Sequence, residues 1–279
     1  MSAAVAKGHL RRQPTTLDSL AKVDLDKAMA IYKQRFADAS DFTFVFVGNI
    51  DVATFKPMVE KYLASLPTVK RRDKWKDVRV QRPRGRKTME VFRGQEPKSY
   101  FYLLFHNRSR WSADAENDMR MLGEVLRIRL REILREDMGG VYGVSSGGSI
   151  ARRPKQRHGF RVFFGCDPDN VEKLKQAVMD EIKIIQNKGI DDEYIGKVKN
   201  MRIRRHEVDL RENYYWSREL ADAYRYGDDP KGILDFKKYV DKVSSKRVRA
   251  AARKYLRANQ YFTAVLRPEK DKAKGKGGK

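Results

Sequence analysis

One cysteine, four histidines and a shortage of acids set the first limits on this chain of 279 residues. Cys166 cannot close an internal disulfide and cannot hold a metal by itself, so cysteine usage gives no sign of an oxidised extracellular fold. No apolar run approaches the ~18 residues that suggest a membrane span. The opening "MSAAVAKGHLRRQPTT" lacks the apolar core of a secretory signal. The histidines exclude the helical zinc motifs: "HEVDL" at 206–210 starts like H-E-x-x-H, but Leu210 stands where the second imidazole must be. The inverse motif H-x-x-E-H fails too, because no histidine has another four residues on. Without two imidazoles one helical turn apart, a single helix cannot bring a pair to one zinc. His206 is therefore expected on a solvated helix face and Cys166 at a buried strand end. No G-x-S-x-G elbow occurs, and "GGVYGVSSGG" lacks the Lys-Ser/Thr of a phosphate-binding loop.

Acidic residues number 37 against 61 Lys and Arg, a net charge of +24. Such an excess attracts nucleic acid, anionic membranes or acidic polypeptides, or simply keeps the chain soluble. The cations are spread over the whole sequence rather than gathered into one stripe with interleaved aromatics, which argues against a dedicated nucleic-acid site. The 41% of hydrophobic residues, with 13 Phe and 13 Tyr, describe a chain that folds around a core.

Periodicity divides the chain. A helix is expected over 17–37, a buried strand over 41–50 ("DFTFVFVGNI") and a helix over 51–67. The basic, proline-broken "TVKRRDKWKDVRVQRPRGRK" reads as a linker. Two strands, "KTMEVFRG" and "SYFYLLFHN", come next. A long amphipathic helix over 112–138 then carries Met119, Leu122, Val125, Leu126, Leu130 and Leu134 on one side, with Ser112 able to cap it and Gly139-Gly140 able to end it. "VYGVSSGGSI" and "HGFRVFFGC" suggest a hairpin. Helices follow over "DNVEKLKQAVMDEIKIIQNKG" and over a long run from Asp191 to Gly227. A last helix, "SSKRVRAAARKYL", precedes the strand "QYFTAVLRP". The helix–strand pair ending at "DFTFVFVGN" resembles this final pair, with Phe42-Thr43 matching Phe262-Thr263, as if the end of one domain were followed by the whole of a related one.

The segment "LREDMGGVYGV" (134–144) sets Arg135 one turn before a helix stop and Tyr142 just after it. Capping accounts for a cation at the negative end of a helix, and a strand accommodates an aromatic. Together with "LDKAMAIYKQRFADASDFTFVFVGNID", "FFGCDPDNVEKL" and "YYWSRELADAYRYGDDPKGIL", however, the chain resembles the C-terminal half of the pitrilysin/insulinase family of zinc metallopeptidases.

That resemblance implies an α+β fold: a mostly antiparallel sheet with helices on one face, in a domain type repeated in pseudo-duplicate. Residues 1–74 would end one domain and supply a basic linker, 75–268 would form the complete C-terminal domain, and 269–279 a disordered basic tail. Arg135 and Tyr142 match the family's Arg-x6-Tyr pair, which implies substrate binding by both and a transition-state contact from Tyr142. A neutral O–H donor and a forked cation suit the carbonyls of a bound peptide, and a donor at the developing oxyanion contributes about 2.7–4 kcal/mol. The small residues of "VYGVSSGG" would leave room for extended backbone.

No metal site is expected in this chain. Zinc would belong to a partner half or subunit bearing H-x-x-E-H, the substrate would be a peptide, acidic if charge decides, and the chain alone would be inactive. The family implies bacterial cytoplasm or periplasm. The alternatives are a basic protein that binds nucleic acid or acidic proteins without catalysis, and an inactive truncated remnant.

Overall fold

In a computed structural model, which describes residues 1–71 and 74–269, the phenylalanines of one strand mark where the core lies. Phe101, Leu103 and Phe105 alternate along strand β2 (Ser99–Arg108) and are fully buried. Their antiparallel partners on β4 (Arg157–Cys166) are Phe164, Val162 and Phe160, equally buried, and Phe101 stacks on Phe164 at 4.9 Å. Because strand side chains alternate between faces, this register sends every intervening residue to the other side. The sheet has the order β1-β5-β2-β4-β3, with β1 (Arg86–Phe92) parallel to β5 (Tyr261–Arg267) and all other pairings antiparallel. β3 (Val141–Ala151) forms one edge.

Ten α-helices occur among the described residues. Three pack on the phenylalanine face: α5 (Ala113–Arg131), α6 (Val171–Lys188) and α10 (Ser245–Tyr255). α5 buries Met119, Leu122, Val125, Leu126 and Leu130, and Ser112 caps it by accepting from the Ala115 amide at 3.1 Å. α6 contributes Leu174, Val178, Ile182 and Ile185, and α10 contributes Val248, Ala251 and Ala252. The other seven are α1 (Ser2–Val5), α2 (Leu17–Ala21), α3 (Leu25–Phe36), α4 (Val52–Tyr62), α7 (Asp192–Asp209), α8 (Asn213–Tyr226) and α9 (Phe236–Asp241). The α+β class, with helices gathered on one face of a mostly antiparallel sheet, is thus the one expected from the resemblance.

Contacts divide the chain into two units. One holds residues 1–12, 77–202 and 237–269 and contains the whole sheet; the other holds 13–76 and 203–236 and is helical. Within the helical unit, Asp38 is buried and fixes its surroundings by accepting from the amides of Ser40 and Val69, at 3.0 and 3.1 Å. Phe36 packs edge-on against Phe42, and Phe46 against Phe55.

Three local expectations change. The helix expected over 17–37 is two, because Asp24 takes extended backbone and caps α3 by accepting from the Lys27 amide at 3.0 Å. The long run after Asp191 is also two helices, and the Trp216 indole N–H donates to Leu210 O at the end of α7 at 2.8 Å. Residues 42–47 carry no helix or strand and pair with no strand of the sheet. A strand exists only through a hydrogen-bonded neighbour, and β5, its repeat, has β1 and β2 on its two sides. The expected linker shows no helix or strand between Tyr62 and Arg86 among the described residues, and of the expected basic tail all but Glu269 lies outside them.

α5 approaches β3 through glycine. A Cβ on Gly123 would stand 2.9 Å from the Gly147 Cα, and Ser146 Oγ donates to Gly123 O at 2.8 Å across the same contact. Gly147 itself faces the other way, where a Cβ would meet nothing within 4 Å. Gly123→Ala is therefore expected to lower stability by about 1–3 kcal/mol through overpacking, whereas Gly147→Ala should leave it nearly unchanged. Urea midpoints of the two variants check this; equal losses would mean that the helix does not depend on the glycine contact.

Candidate functional site

The last turn of the α5 run is wider than an α-helix. Residues Glu132–Asp137 form a π-turn, closed by the Met138 amide on Ile133 O at 3.1 Å, a form that occurs mostly as single turns and often at functional sites. Arg135 lies in this turn, exposed. Gly139 then takes φ +57°, the left-handed stop that glycine permits, and Gly140 donates to Leu134 O at 2.9 Å. Gly140 has a second constraint, since a Cβ there would meet Leu174 at 2.6 Å.

The chain enters β3 at Val141, which pairs with Cys166 and points into the core. The next registered pair is Val144 with Phe164, so three steps on β3 match two on β4. The bulge falls at Tyr142-Gly143 and re-aims the side chains on either side of it. Tyr142 is turned out to 80% exposure, with Lys98 Nζ 5.8 Å from its ring centre. The two residues singled out by sequence thus flank one glycine turn, both open to solvent, with no hydrogen bond joining them.

A network unseen in the sequence anchors the π-turn. Arg129 donates to Glu181 of α6 at 2.8 Å, to Glu132 at 3.1 Å and to the Tyr194 hydroxyl of α7 at 3.0 Å. Tyr194 in turn donates to Glu132 at 2.7 Å. Glu181 is only 2% exposed, and its bond, ahead of that to Tyr194, raises the pKa of the guanidinium further. The spacing of Arg129 and Glu132 suggests a helical pair, but nothing local marks Glu181 or Tyr194 as their partners.

The histidines have structural surroundings. His206 stacks on Phe236 at 4.2 Å, its Nδ1 lies 3.1 Å from the Tyr215 hydroxyl, and burial lowers its pKa. It is half-buried, not on a solvated face as expected, because the aromatic residues of α8 and α9 cover it. With Leu210 one turn on and aromatic rings around it, this donor set does not fit zinc. Among the described residues no group of three or more His, Cys, Asp or Glu is placed to hold a metal. His158 is buried with Nδ1 2.7 Å from Ser109 Oγ and Nε2 3.1 Å from Tyr255 O, a satisfied core histidine. Cys166 is buried where β4 ends, and burial, with Asp167 beside it, pushes its thiol up to about 11. No helix is long and apolar enough to cross a membrane among the described residues.

Comparison with known proteins adds the context that geometry leaves open. The profile described as the peptidase M16 inactive domain matches residues 22–202. The chain is 28% identical over 228 residues to a protein of Arabidopsis thaliana named zinc protease PQQL-like, covering 76% of this chain and 24% of that protein. It is 24% identical over 241 residues to the probable zinc protease PqqL of Haemophilus influenzae, covering 85% and 25%. It thus spans about a quarter of the length of these relatives. The solved structure of the periplasmic protease PqqL from Escherichia coli superposes with a TM-score of 0.77 at 21% identity, over 92% of this chain and 29% of that one.

Two outcomes are expected from the buried groups. Arg129→Met leaves Glu181 charged and unpaired, and should cost about 3–5 kcal/mol in unfolding free energy; a loss below that of an exposed ion pair would show that the network does not hold the turn. His106 and His158 are both held near a pKa of about 4, chiefly by burial, against an ordinary 6.5. The unfolded chain takes up these protons first as pH falls, so their stabilising effect is complete above pH 6.5 and declines from there toward pH 4. Denaturation midpoints between pH 7 and 4.5 should fall, with a shallower slope in His106→Gln; an identical slope would exclude this origin.

Proposed function

We propose that this chain, which belongs to the peptidase M16 inactive-domain family, is the metal-free, substrate-binding portion of a zinc metalloendopeptidase. Its zinc-bearing counterpart, with H-x-x-E-H, lies outside these residues, and the two together hold the peptide. The observation that carries this reading is the bulge in β3. At its start Tyr142 stands 80% exposed on an edge strand, beside the turn that carries Arg135. A tyrosine this exposed buries little apolar surface and contributes little to the fold, and the bulge disturbs the sheet ladder where it projects.

In this reading residues 75–268 act as the C-terminal domain and 1–74 as the end of its neighbour. The Tyr142 hydroxyl donates to the carbonyl oxygen on which negative charge develops, and its neutrality suits a donor that must not compete for the proton in flight. Arg135 offers parallel N–H donors to a carbonyl or carboxylate along the peptide. Their placement on either side of Gly139 fixes both by the same short turn, which the Arg129–Glu132–Tyr194 network holds in place. β3 is a sheet edge whose outer amides and carbonyls can pair with an extended segment.

Purified alone, with zinc added, the chain should not hydrolyse peptides; turnover by the isolated chain would end this reading. In an enzyme assembled with a zinc-bearing half, Tyr142→Phe should lower kcat by about 10²–10³-fold with a much smaller change in KM, because the contact strengthens in the transition state. Arg135→Gln should act mainly on KM. A tyrosine variant that changes KM and kcat equally would assign Tyr142 to ground-state binding instead.

A further inference from the structure

The sheet face turned away from α5, α6 and α10 carries cations that the contacts proposed above do not use. The strand register places Arg161 between Leu104 and Gly147, and Gly159 between His106 and Ser149. Two adjoining cavities, of about 500 and 760 Å³, lie against this face and share Asp77, Val80, Arg82, Lys155 and Arg157 as walls. Gly159 makes room for Arg82, whose Nη1 would lie 3.4 Å from a Cβ there.

The two arginines on the shared walls are short of counter-charge, for Asp77 is paired with Lys155 and reaches Arg157 only through a longer-range attraction. Arg82 reaches only His158 O and Arg157 only Val80 O, each at 3.4 Å, and neither has a carboxylate partner among the described residues. The single acid on the shared walls, Asp77, is committed to Lys155 at 2.6 Å and to the Arg79 amide at 2.9 Å. Burial first, and then the like charge of Arg157, lower the pKa of Arg82. At the same place His106 is 3% exposed, lines the smaller cavity and has no hydrogen-bond partner at Nε2. A buried polar atom left unpaired costs about 1–3 kcal/mol, so cations short of counter-charge and an imidazole without a partner converge on one cavity.

We propose that this cavity is an anion site that takes a carboxylate side chain of an acidic polypeptide between Arg82, Arg157 and Nε2 of His106. The proposal rests on the peptide-binding reading above and gives it a substrate class. Guanidinium forks match carboxylates in shape, and partial burial strengthens the attraction. The neutral imidazole adds an N–H in the tautomer that protonates Nε2. The larger cavity continues along β3, where Gly147 and Ser149 leave space for extended backbone and Leu104, Val80 and Pro154 offer apolar contact. Tyr102 is the single aromatic on its walls, whereas nucleic-acid grooves stack successive bases on several rings. The chemistry favours peptide.

The test is fluorescence anisotropy of the 279-residue chain with a labelled glutamate-rich peptide, its glutamine-substituted twin, and an oligouridylate of similar length. The glutamate peptide should bind at least about tenfold more tightly than its twin, and Arg82→Gln/Arg157→Gln should remove that difference. Because these arginines hold no carboxylate, the double variant should unfold at an unchanged urea midpoint. Gly147→Val, which adds bulk on the open side, should weaken both peptides. Ring resonances of His106 should shift with the glutamate peptide alone. Equal binding of both peptides would overturn the anion site while leaving peptide binding intact; binding of neither would overturn both. Tighter binding of the oligouridylate would reassign the site to nucleic acid.

Discussion

The two-residue period of β2 and β4 is the constraint on which the sheet unit depends. Phe101, Leu103 and Phe105 meet Phe164, Val162 and Phe160 on one face, so Leu104, His106 and Arg161 must lie on the other. A slip of one residue would exchange the faces, setting arginine and histidine against α5 and the phenylalanines in water. Burial of side chains of that size, each worth about 1.5–3 kcal/mol, makes such a slip prohibitive. The core and the basic face are therefore two consequences of one register, and the cavity's chemistry is protected by the packing behind it.

The one departure from that period lies where the proposed contacts lie. Between Val141 and Val144 the bulge inserts a residue, and Tyr142 at its start faces solvent, opposite the buried Val141. The preceding turn departs from regular geometry as well, being π rather than α, and Gly139 adopts a backbone conformation that few other residues tolerate. Such irregularities persist only where surroundings over-determine them. Here the surroundings are Arg129, Glu132, Glu181 and Tyr194, drawn from α5, the π-turn, α6 and α7.

The excess of positive charge gains a local meaning from this architecture. Much of it is dispersed, and many exposed cations sit in helical i,i+3 or i,i+4 pairs such as Lys197–Glu193 and Lys237–Asp241, which contribute little each. Arg82 and Arg157 differ because, among the described residues, the hydrogen bonds of their guanidinium groups go to carbonyls, those of His158 and Val80. The basic face belongs to a chain of the peptidase M16 inactive-domain family.

Through a resemblance the sequence pointed to the fold class; by its own pattern it determined the five strands of the sheet, the cap of α5 at Ser112, the stop of its run at Gly139 and the absence of a helical zinc motif. These follow from local periodicity, capping and spacing, which act within a few turns of chain. It also singled out Arg135 and Tyr142, through a resemblance rather than through their chemistry. Tertiary structure decided the rest. Only pairing partners tell that β5 enters between β1 and β2, and that Phe42–Val47, despite sharing a Phe-Thr pair with β5, forms no strand. Nothing local places Glu181 on Arg129, 52 positions away, or brings Arg82 within reach of His158 O, 76 positions away. A long-range ion pair or a shared cavity is a property of distances between segments, and those exist only once the register has been set.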